Sequence, residues 1–215
     1  MNVNRLCGSG LQAIVAAAGQ LLLADATVIV AGCNENMSRQ PFLDYDAHAG
    51  WRLATRELVD GTLALVTDPF GRYPMGETAE RVAQRYSVTR EDQDQFDITG
   101  YAPALAVPKV LAKLQIKPEQ LDVIEFNEAF AAQAVAVIRA TGLDQATVNP
   151  MGGAIAYGHP IGATGALLTV RLMYELERLQ QRLGMVTMCI GGRQGIAAVF
   201  EWCAAAHPHA DREAA

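Results

Sequence analysis

Apolar residues occupy every face of a helical projection over residues 6–23, a segment that is almost free of charge. This pattern predicts a helix that protein encloses on all sides, because no polar face is left for water. The β-branched run TVIVA, residues 27–31, follows and predicts a short interior strand. A buried helix followed by a buried strand indicates an α/β protein.

The next segment, residues 32–75, has no sustained hydrophobic period. Its Asn, Asp, Pro and Gly residues are scattered throughout, and irregular stretches of this length are usually functional or disordered. The sequence therefore predicts a long excursion here, of the kind that forms a lid or an insertion. Helical spacing returns over residues 76–96.

Strand and helix alternate again in the second half of the chain. The pattern predicts a helix at 107–114, a strand at 121–126, an alanine-rich helix to Ala140, a brief strand at 147–149, a glycine-dense loop at 151–165, a helix at 167–183, and a hairpin with strands at 185–188 and 196–202. The tail from Cys203 is predicted to fray. Two βα-rich pieces, residues 1–32 and 121–202, flank an irregular middle, so the predicted fold class is α/β with mixed sheets and buried helices.

Composition and charge narrow the classes of function. The chain has 215 residues, 51% apolar and 19% charged, which suits one compact domain or two small ones. A formal charge of −6 without a basic run argues against nucleic acid as a partner. The apolar stretch 11–24 is too short to span a bilayer and precedes Asp25 instead of a small-residue cleavage site. Neither membrane insertion nor secretion is predicted.

The four cysteines, Cys7, Cys33, Cys189 and Cys203, are scattered along the chain. They form neither a CxxC pair nor a zinc spacing, so each is predicted to be a free thiol in a reducing compartment, by default the cytoplasm. No metal site is predicted. The two histidines of the His-Pro-His sequence at 207–209 are predicted to be solvated.

Cys7 opens the first predicted helix, where free backbone N–H groups and the positive end of the helix dipole favour an anion. A thiolate with a lowered pKa, suited to act as a nucleophile, is therefore predicted. The alternative is a small thiol that only packs in the core. The neighbouring Gly8, Ser9 and Gly10 favour the nucleophile, because small residues leave room for a substrate to approach the sulfur.

Two further residues with useful chemistry lie at glycine-rich turns. His159 belongs to the glycine-dense loop, where a ligand can approach the backbone and an imidazole can exchange a proton near neutral pH; a structural role is the alternative. Cys189 leaves a buried strand at the rim of the predicted sheet. There the N–H groups of Gly191 and Gly192 could face a developing oxyanion.

Asn127 follows the predicted strand 121–126 and is able to orient a water or a carbonyl oxygen. Glu128 beside it has the ordinary interpretation of a charge at the start of a helix. Papain-like proteases and acyl-transferring condensing enzymes both use a Cys, His and Asn set, so the local sequence has to separate the two classes.

Four segments resemble, in the right order, the signature sequences of the thiolases, the acetyl-CoA acyltransferases. They are VNRLCGSGLQA (3–13), NEAFAAQ (127–133), NPMGGAIAYGHPIGATG (149–165) and CIGGRQG (189–195). The resemblance continues through ENMSRQPF (35–42) and DPFGRYPMGETAE (68–80), and covers residues 3 to about 202. Acetyl-CoA acetyltransferases and 3-ketoacyl-CoA thiolases make up this family.

The resemblance implies a role for each candidate residue. Cys7 would be the nucleophile that holds the acyl group as a thioester, and Cys189 the second thiol, which moves the α-proton of acetyl-CoA. His159 would activate Cys7 and, with a water held by Asn127, form one oxyanion site. The backbone N–H groups of Cys7 and Gly191 would form the other.

The same resemblance implies reversible thiolysis of 3-ketoacyl-CoA and Claisen condensation of acetyl-CoA. Coenzyme A and acyl-CoA would be substrates, without a further cofactor, and Met75 and Phe130 would line their pocket. The partner would be a second copy of the chain or a full-length thiolase.

Three alternatives to this interpretation remain. The first is an inactive remnant that acts only by association with a full-length thiolase. The second is a ketoacyl synthase, although those enzymes usually have His in place of the second cysteine, and the third is a cysteine protease, although that class lacks the GHP loop and the NEAF segment.

Departures from the family pattern imply a domain division. The layer that precedes the nucleophile in thiolases has no counterpart, and an internal deletion falls near residues 95–100. Residues 1–37 would be the remnant of the N-terminal core domain, 38–100 a partial loop domain with its return helix, 101–203 a partial C-terminal core domain and 204–215 a tail. The missing strands would leave open sheet edges and exposed apolar helices.

Overall fold

The computed structural model describes residues 1–95 and 101–203. Its helices are α1 (Ser9–Leu22), α2 (Gly61–Leu65), α3 (Met75–Arg85), α4 (Arg90–Gln95), α5 (Pro103–Leu114), α6 (Ala131–Thr141), α7 (Ala154–Tyr157) and α8 (Thr164–Leu179). Its strands are β1 (Phe42–Leu43), β2 (Val59–Asp60), β3 (Val123–Phe126), β4 (Leu183–Ile190) and β5 (Gln194–Glu201). The predictions for the tail at 204–215, including its two histidines, lie outside the described residues.

A three-stranded mixed sheet forms the centre of the second half. Its order is β3-β4-β5, with β3 parallel to β4 and β4 antiparallel to β5. The last pair of the hairpin is Ile190 with Gln194, so residues 191–193 form the turn. Gly192 and Arg193 both have positive φ there, which the tight return requires. The prediction of a mixed sheet is confirmed.

Helices cover both faces of this sheet. Ile124 and Phe126 join the core beside α5 and α6, whereas Val123 and Val186 join the core beside α1 and α8. Every residue of β3 is buried, because helices cover both of its faces and a bridge between Ile124 and Val148 lies along its outer edge. The result is a helix–sheet–helix sandwich whose strand ends carry the candidate residues.

Close contact between α1 and α8 fixes the position of the first helix. A Cβ added at Gly165 would lie 2.3 Å from the backbone nitrogen of Leu11, and one added at Gly10 would lie 2.7 Å from that of Ala166. The two backbones therefore approach so closely that only glycine fits at these points. Cys7, two residues before α1, is placed next to the loop that enters α8.

The prediction that α1 is enclosed on all sides is wrong. Only Gly10 and Leu11 are buried in this helix, and Leu22 is 88% exposed at its end. The reason is that α8 packs against one side of α1, and no other element of the described residues makes extensive contact with its other sides.

The predicted interior strand at 27–31 is also absent. Val28 and Val30 are 82% and 96% exposed, and no strand of the described residues pairs with them. A β-branched run adopts a ladder only where a neighbouring strand supplies hydrogen bonds. The predicted strand at 147–149 is reduced to one parallel bridge between Val148 and Ile124.

The middle of the chain is largely irregular, as its sequence predicts. Between α1 and α3, the regular elements are the two-residue pair β1–β2, short 3₁₀ turns and α2. Asp60 accepts hydrogen bonds from the N–H groups of Thr62 and Leu63 at 2.7 and 3.1 Å and so caps α2. The helix predicted for 76–96 divides into α3 and α4, with Ser87 at a positive φ in the break. Phe96 lies outside the described residues.

Candidate active site

A cavity of about 480 Å³ brings together side chains from five places in the chain. Cys7, His159, Cys189, Met75 and Phe130 all line it. They come from the start of α1, the loop before α8, the end of β4, the start of α3 and the residue before α6. Segments more than 180 residues apart in sequence therefore meet at one site.

Cys7 lies against the β4–β5 turn. The backbone N–H groups of Gly191 and of Cys7 itself are close enough to its sulfur to favour the thiolate. Burial nevertheless raises the pKa of Cys7, these two N–H groups lower it by less, and the negative charge of Glu35 adds to the rise. The prediction of a lowered pKa is therefore wrong, because removal from water disfavours the thiolate more than the helix start favours it.

The imidazole of His159 is held at both nitrogens. Its Nδ1 lies 2.6 Å from Oγ1 of Thr164, and its Nε2 lies 3.4 Å from Nδ2 of Asn127. An amide nitrogen only donates, so Nε2 presents its lone pair and the ring proton is on Nδ1, directed to the Thr164 oxygen. Nε2 is thus the basic atom of this side chain.

Burial lowers the pKa of His159 to about 4, and the nearby charge of Glu35 opposes that shift. The sequence suggested a histidine that titrates near neutral pH, and this expectation is corrected. At pH 7 the ring is neutral and able to accept a proton.

Cys189 is the next-to-last residue of β4 and lines the cavity. Burial raises its pKa to about 12, the charge that Cys7 carries as a thiolate adds to the rise, and a hydrogen bond with the side chain of Gln133 lowers it. The two thiols are thus close enough to influence each other. Both hold their protons at neutral pH, and no disulfide joins any of the four cysteines.

Asn127 is fully buried behind His159. Its backbone N–H donates to the carbonyl of Thr187 at 3.0 Å, which fixes it at the end of β3. Its Oδ1 has no hydrogen-bond partner among the described residues. Asn127 therefore combines a donor directed at the imidazole with an acceptor that is left over for another group.

Glu128 does not start a helix, which corrects the expectation for that residue. Its carboxylate accepts from Nδ2 of Asn149 at 2.6 Å and from the N–H of Ile155 at 3.3 Å. Arg171 adds a second anchor, donating to the carbonyl of Gly152 at 2.7 Å. These contacts hold the glycine-dense loop, and with it His159, against the sheet.

Sequence reasoning missed three residues around the site. Thr164 and Gln133 are fully buried polar side chains that bond to His159 and Cys189. Glu35 accepts from the N–H of Gly162 at 2.9 Å. A glutamine inside the apolar run AAQAVAV was a usable signal, because a buried amide needs a partner. Nothing local in the sequence points from Glu35 to a loop more than 120 residues away.

Within residues 1–95 and 101–203, no group of three or more His, Cys, Asp or Glu residues could hold a metal ion. None of the helices described there has the length and apolar character needed to cross a lipid bilayer.

The site's segments match family models over most of the chain. The model of the N-terminal thiolase domain matches residues 1–112, and that of the C-terminal thiolase domain matches residues 78–202. The chain belongs to the thiolase family. The family recognised from the four motifs is confirmed, and the thiolases are acyltransferase enzymes.

A curated relative is longer than this chain. Beta-ketothiolase BktB of Cupriavidus necator is 36% identical over 309 residues, covering 94% of this chain and 78% of the relative. That aligned span is longer than the 215 residues present here, so part of the relative within it has no counterpart. The expected internal deletion is thereby confirmed.

Solved structures agree on the fold. The acetyl-CoA acetyltransferase of Bacillus anthracis superposes with a TM-score of 0.86 at 27% identity, covering 93% of this chain and 78% of that one. Human mitochondrial 3-ketoacyl-CoA thiolase in complex with CoA gives 0.87 at 24% identity, covering 94% and 77%. The predicted thiolase-like α/β fold is confirmed.

Proposed function

We propose that this chain is an acyl-CoA C-acyltransferase that catalyses thiolysis of 3-ketoacyl-CoA and, in reverse, Claisen condensation of acetyl-CoA. The observation that carries the proposal is the shared cavity of Cys7, His159 and Cys189, in which the backbone N–H of Gly191 favours the thiolate form of Cys7. One thiol is available to bond to carbon while the other handles a proton.

In thiolysis, Cys7 Sγ attacks the 3-keto carbon of the substrate as Nε2 of His159 accepts the thiol proton. The bond between C2 and C3 then breaks, the shortened acyl group stays on Cys7 as a thioester, and the leaving acetyl-CoA carbanion takes its proton from Cys189. A raised pKa suits this last role, because the thiol keeps its proton until the carbanion forms.

The second half-reaction restores both thiols. The sulfur of free CoA attacks the thioester carbon, and its proton passes to the Cys189 thiolate. The bond between the acyl carbon and Cys7 Sγ breaks, and the departing thiolate recovers the proton held by His159. The products are acyl-CoA and the starting protein.

Two groups of donors would stabilise the oxyanions of these steps. The N–H groups of Cys7 and Gly191, which favour a negative charge on the Cys7 sulfur, would serve one of them. A water held by Asn127, together with His159, would serve the other. Met75 and Phe130, apolar residues that line the cavity, would contact the acyl group and the pantetheine arm.

The test is a thiolysis assay of the purified chain with acetoacetyl-CoA and CoA. Turnover that disappears in Cys7→Ala, with acetylated Cys7 found by mass spectrometry in the unaltered protein, is the expected result. Cys203→Ala is the matched control, because this exposed thiol is not one of the residues that line the cavity, and it should retain full activity. A folded protein without turnover and without acetyl-Cys7 refutes the proposal.

A second candidate function is association with a thiolase subunit without catalysis. The exposed apolar residues of α1 and of the segment that follows favour it, because a surface of this kind is usually covered by protein. The partner would be a second copy of the chain or a full-length thiolase. Since none of the four cysteines is in a disulfide, we propose a reducing, cytoplasmic compartment for either function.

A further inference from the structure

The β4–β5 turn ends in a residue whose backbone conformation is unusual for its type. Arg193 has a φ of +63°, in the left-handed region that glycine adopts freely and other residues enter at a cost in free energy. Gly192 before it has a φ of +78°, so two successive left-handed residues close the hairpin. A non-glycine residue keeps such a conformation where its contacts determine it, and positions of this kind cluster at functional sites.

The guanidinium group of Arg193 extends from this turn to the segment that precedes α3. Its Nε donates to Oδ2 of Asp68 at 3.1 Å, and its Nη2 donates to the hydroxyl of Tyr73 at 3.4 Å. The same group lies 5.4 Å from the ring centre of Phe70. One side chain therefore joins two segments that are at least 120 residues apart in sequence.

Asp68 is a fixed anchor for this contact. Its side chain is almost fully buried, and its Oδ1 accepts from the N–H groups of Phe70 and Gly71 at 2.8 and 2.6 Å. The hydrogen bond from Gly71 lowers the pKa of Asp68 most, burial opposes that shift, and the N–H of Phe70 and the guanidinium of Arg193 lower the pKa further. Asp68 is therefore ionised at neutral pH, and Arg193 contacts the oxygen that its own loop does not use.

Residues 66–75 form a closed loop around this carboxylate. The N–H of Asp68 donates to the carbonyl of Tyr73 at 2.9 Å, and the N–H of Met75 donates to the carbonyl of Val66 at 2.8 Å. Backbone hydrogen bonds thus tie the two ends of the loop together at the start of α3. The loop is a support to which a flexible neighbour can be attached.

The β4–β5 turn is such a neighbour. Gly191 lies so close to Leu6 and Met75 that an added Cβ would be 2.9 Å from the first side chain and 3.4 Å from the second. The backbone N–H of Gly191 favours the thiolate form of Cys7. Because Gly191 and its glycine neighbour have no side chains that hold the turn in place, the side chain that follows them is the one that can.

We propose that Arg193 is a positioning residue, which clamps the β4–β5 turn to residues 66–75 and so holds the N–H of Gly191 in place. This inference rests on the proposed function, in which that N–H stabilises an oxyanion. A donor stabilises a developing charge best when it is fixed beforehand, because the reaction then spends no free energy on moving it. Arg193 acts through Gly191 and not on the substrate itself.

Two variants release this clamp in different ways. Asp68→Asn keeps the oxygen that accepts from the two loop N–H groups, but an amide nitrogen, which cannot accept, replaces the oxygen that Arg193 contacts. Arg193→Gly removes the guanidinium group and also relieves the left-handed conformation, so its melting temperature should change little. In thiolysis of acetoacetyl-CoA, each variant should lower kcat about tenfold and leave KM nearly unchanged, since the displaced donor acts in the transition state.

A second measurement does not depend on catalysis. Alkylation of Cys7 by iodoacetamide is followed against pH by mass spectrometry of the peptide that contains it, because the thiolate is the reacting form. Release of the clamp should move the midpoint of this profile to higher pH, since the N–H of Gly191 then favours the thiolate less. The direction is decisive for Asp68→Asn, because loss of a negative charge alone would move the midpoint to lower pH.

Arg182→Gln is the matched control. Arg182 pairs with Glu201 at 2.6 Å at the opposite end of the same hairpin and is not among the cavity residues, so kcat and the midpoint should stay constant. The double variant Asp68→Asn with Arg193→Gly should be no slower than either single variant, because the two residues form one contact. Losses that add in the double variant, or variants that lower only the melting temperature, overturn the proposal.

These outcomes are separate from the fate of the proposed function. A protein without thiolysis, whose Cys7 midpoint still rises in both clamp variants, supports the positioning of Gly191 by Arg193 and refutes the enzymatic proposal. Thiolysis in which both variants keep the original kcat and midpoint refutes only the positioning role.

Discussion

The protonation of His159 is decided by its immediate contacts. Its Nδ1 proton is directed to Thr164, and its Nε2 lone pair lies near Asn127 and lines the cavity with Cys7. Because burial lowers the pKa of the ring to about 4, no imidazolium–thiolate pair exists at pH 7. In the proposed thiolysis, the thiol of Cys7 would therefore lose its proton during attack and not before it.

The first prediction concerns the pH dependence of thiolysis. The folded pKa of His159 lies below its ordinary value, so the neutral base is present at neutral pH and is lost only as the pH falls through about 4. We expect the acid limb of kcat/KM near that pH, and a matching titration of the His159 ring by NMR.

Glu35→Gln provides the comparison for this prediction. Its charge raises the pKa of His159, so its removal should move the acid limb to still lower pH. An acid limb near pH 6.5 that is unaltered in Glu35→Gln would contradict the assignment.

At the scale of elements, the crossing of α1 and α8 positions Cys7, the proposed nucleophile. Gly165 at the start of α8 leaves no space between its Cα and the backbone of Leu11. Any side chain there must push α1 away, and Cys7 with it.

The second prediction follows from this crossing. Gly165→Ala should lower the free energy of unfolding by about 1–3 kcal/mol and also reduce turnover, because overpacking here shifts backbone and not a flexible side chain. Gly19→Ala, within α1 but with nothing within 4 Å of the added Cβ, should raise stability by about 1 kcal/mol. Urea unfolding of the two variants checks both signs, and equal stability would contradict the packing argument.

At the scale of the whole molecule, the main feature is the exposed apolar surface formed by the end of α1 and the segment that follows it. Leu22, Val28 and Val30 are more than four-fifths exposed, and Leu21 and Leu23 extend the same region. A patch of this kind on a free chain favours association with itself or with a related subunit. The division into residues 1–37, 38–100 and 101–203 remains a proposal at this scale.

The third prediction is that this surface drives assembly. The double variant Leu22→Glu with Val30→Lys should increase the monomer fraction measured by light scattering after gel filtration, without loss of melting temperature, because neither side chain is part of the core. Leu105→Glu, a change at another exposed leucine, is the control and should leave the assembly unchanged. A monodisperse monomer before any substitution would contradict the idea.

Local patterns in the sequence determined the second half of the chain, because β3, α6, α8 and the β4–β5 hairpin follow from apolar spacing and glycine turns. The candidate residues Cys7, His159, Asn127 and Cys189 were also identified from local context, since each stands in a loop or near the boundary of a predicted element. Only the tertiary structure decided the environment of α1 and of residues 27–31, because a helix or strand is buried by what packs against it. It also decided the pKa shifts of the site and the partners Thr164, Gln133 and Glu35, since burial and contacts across more than 100 residues leave no local trace in a sequence.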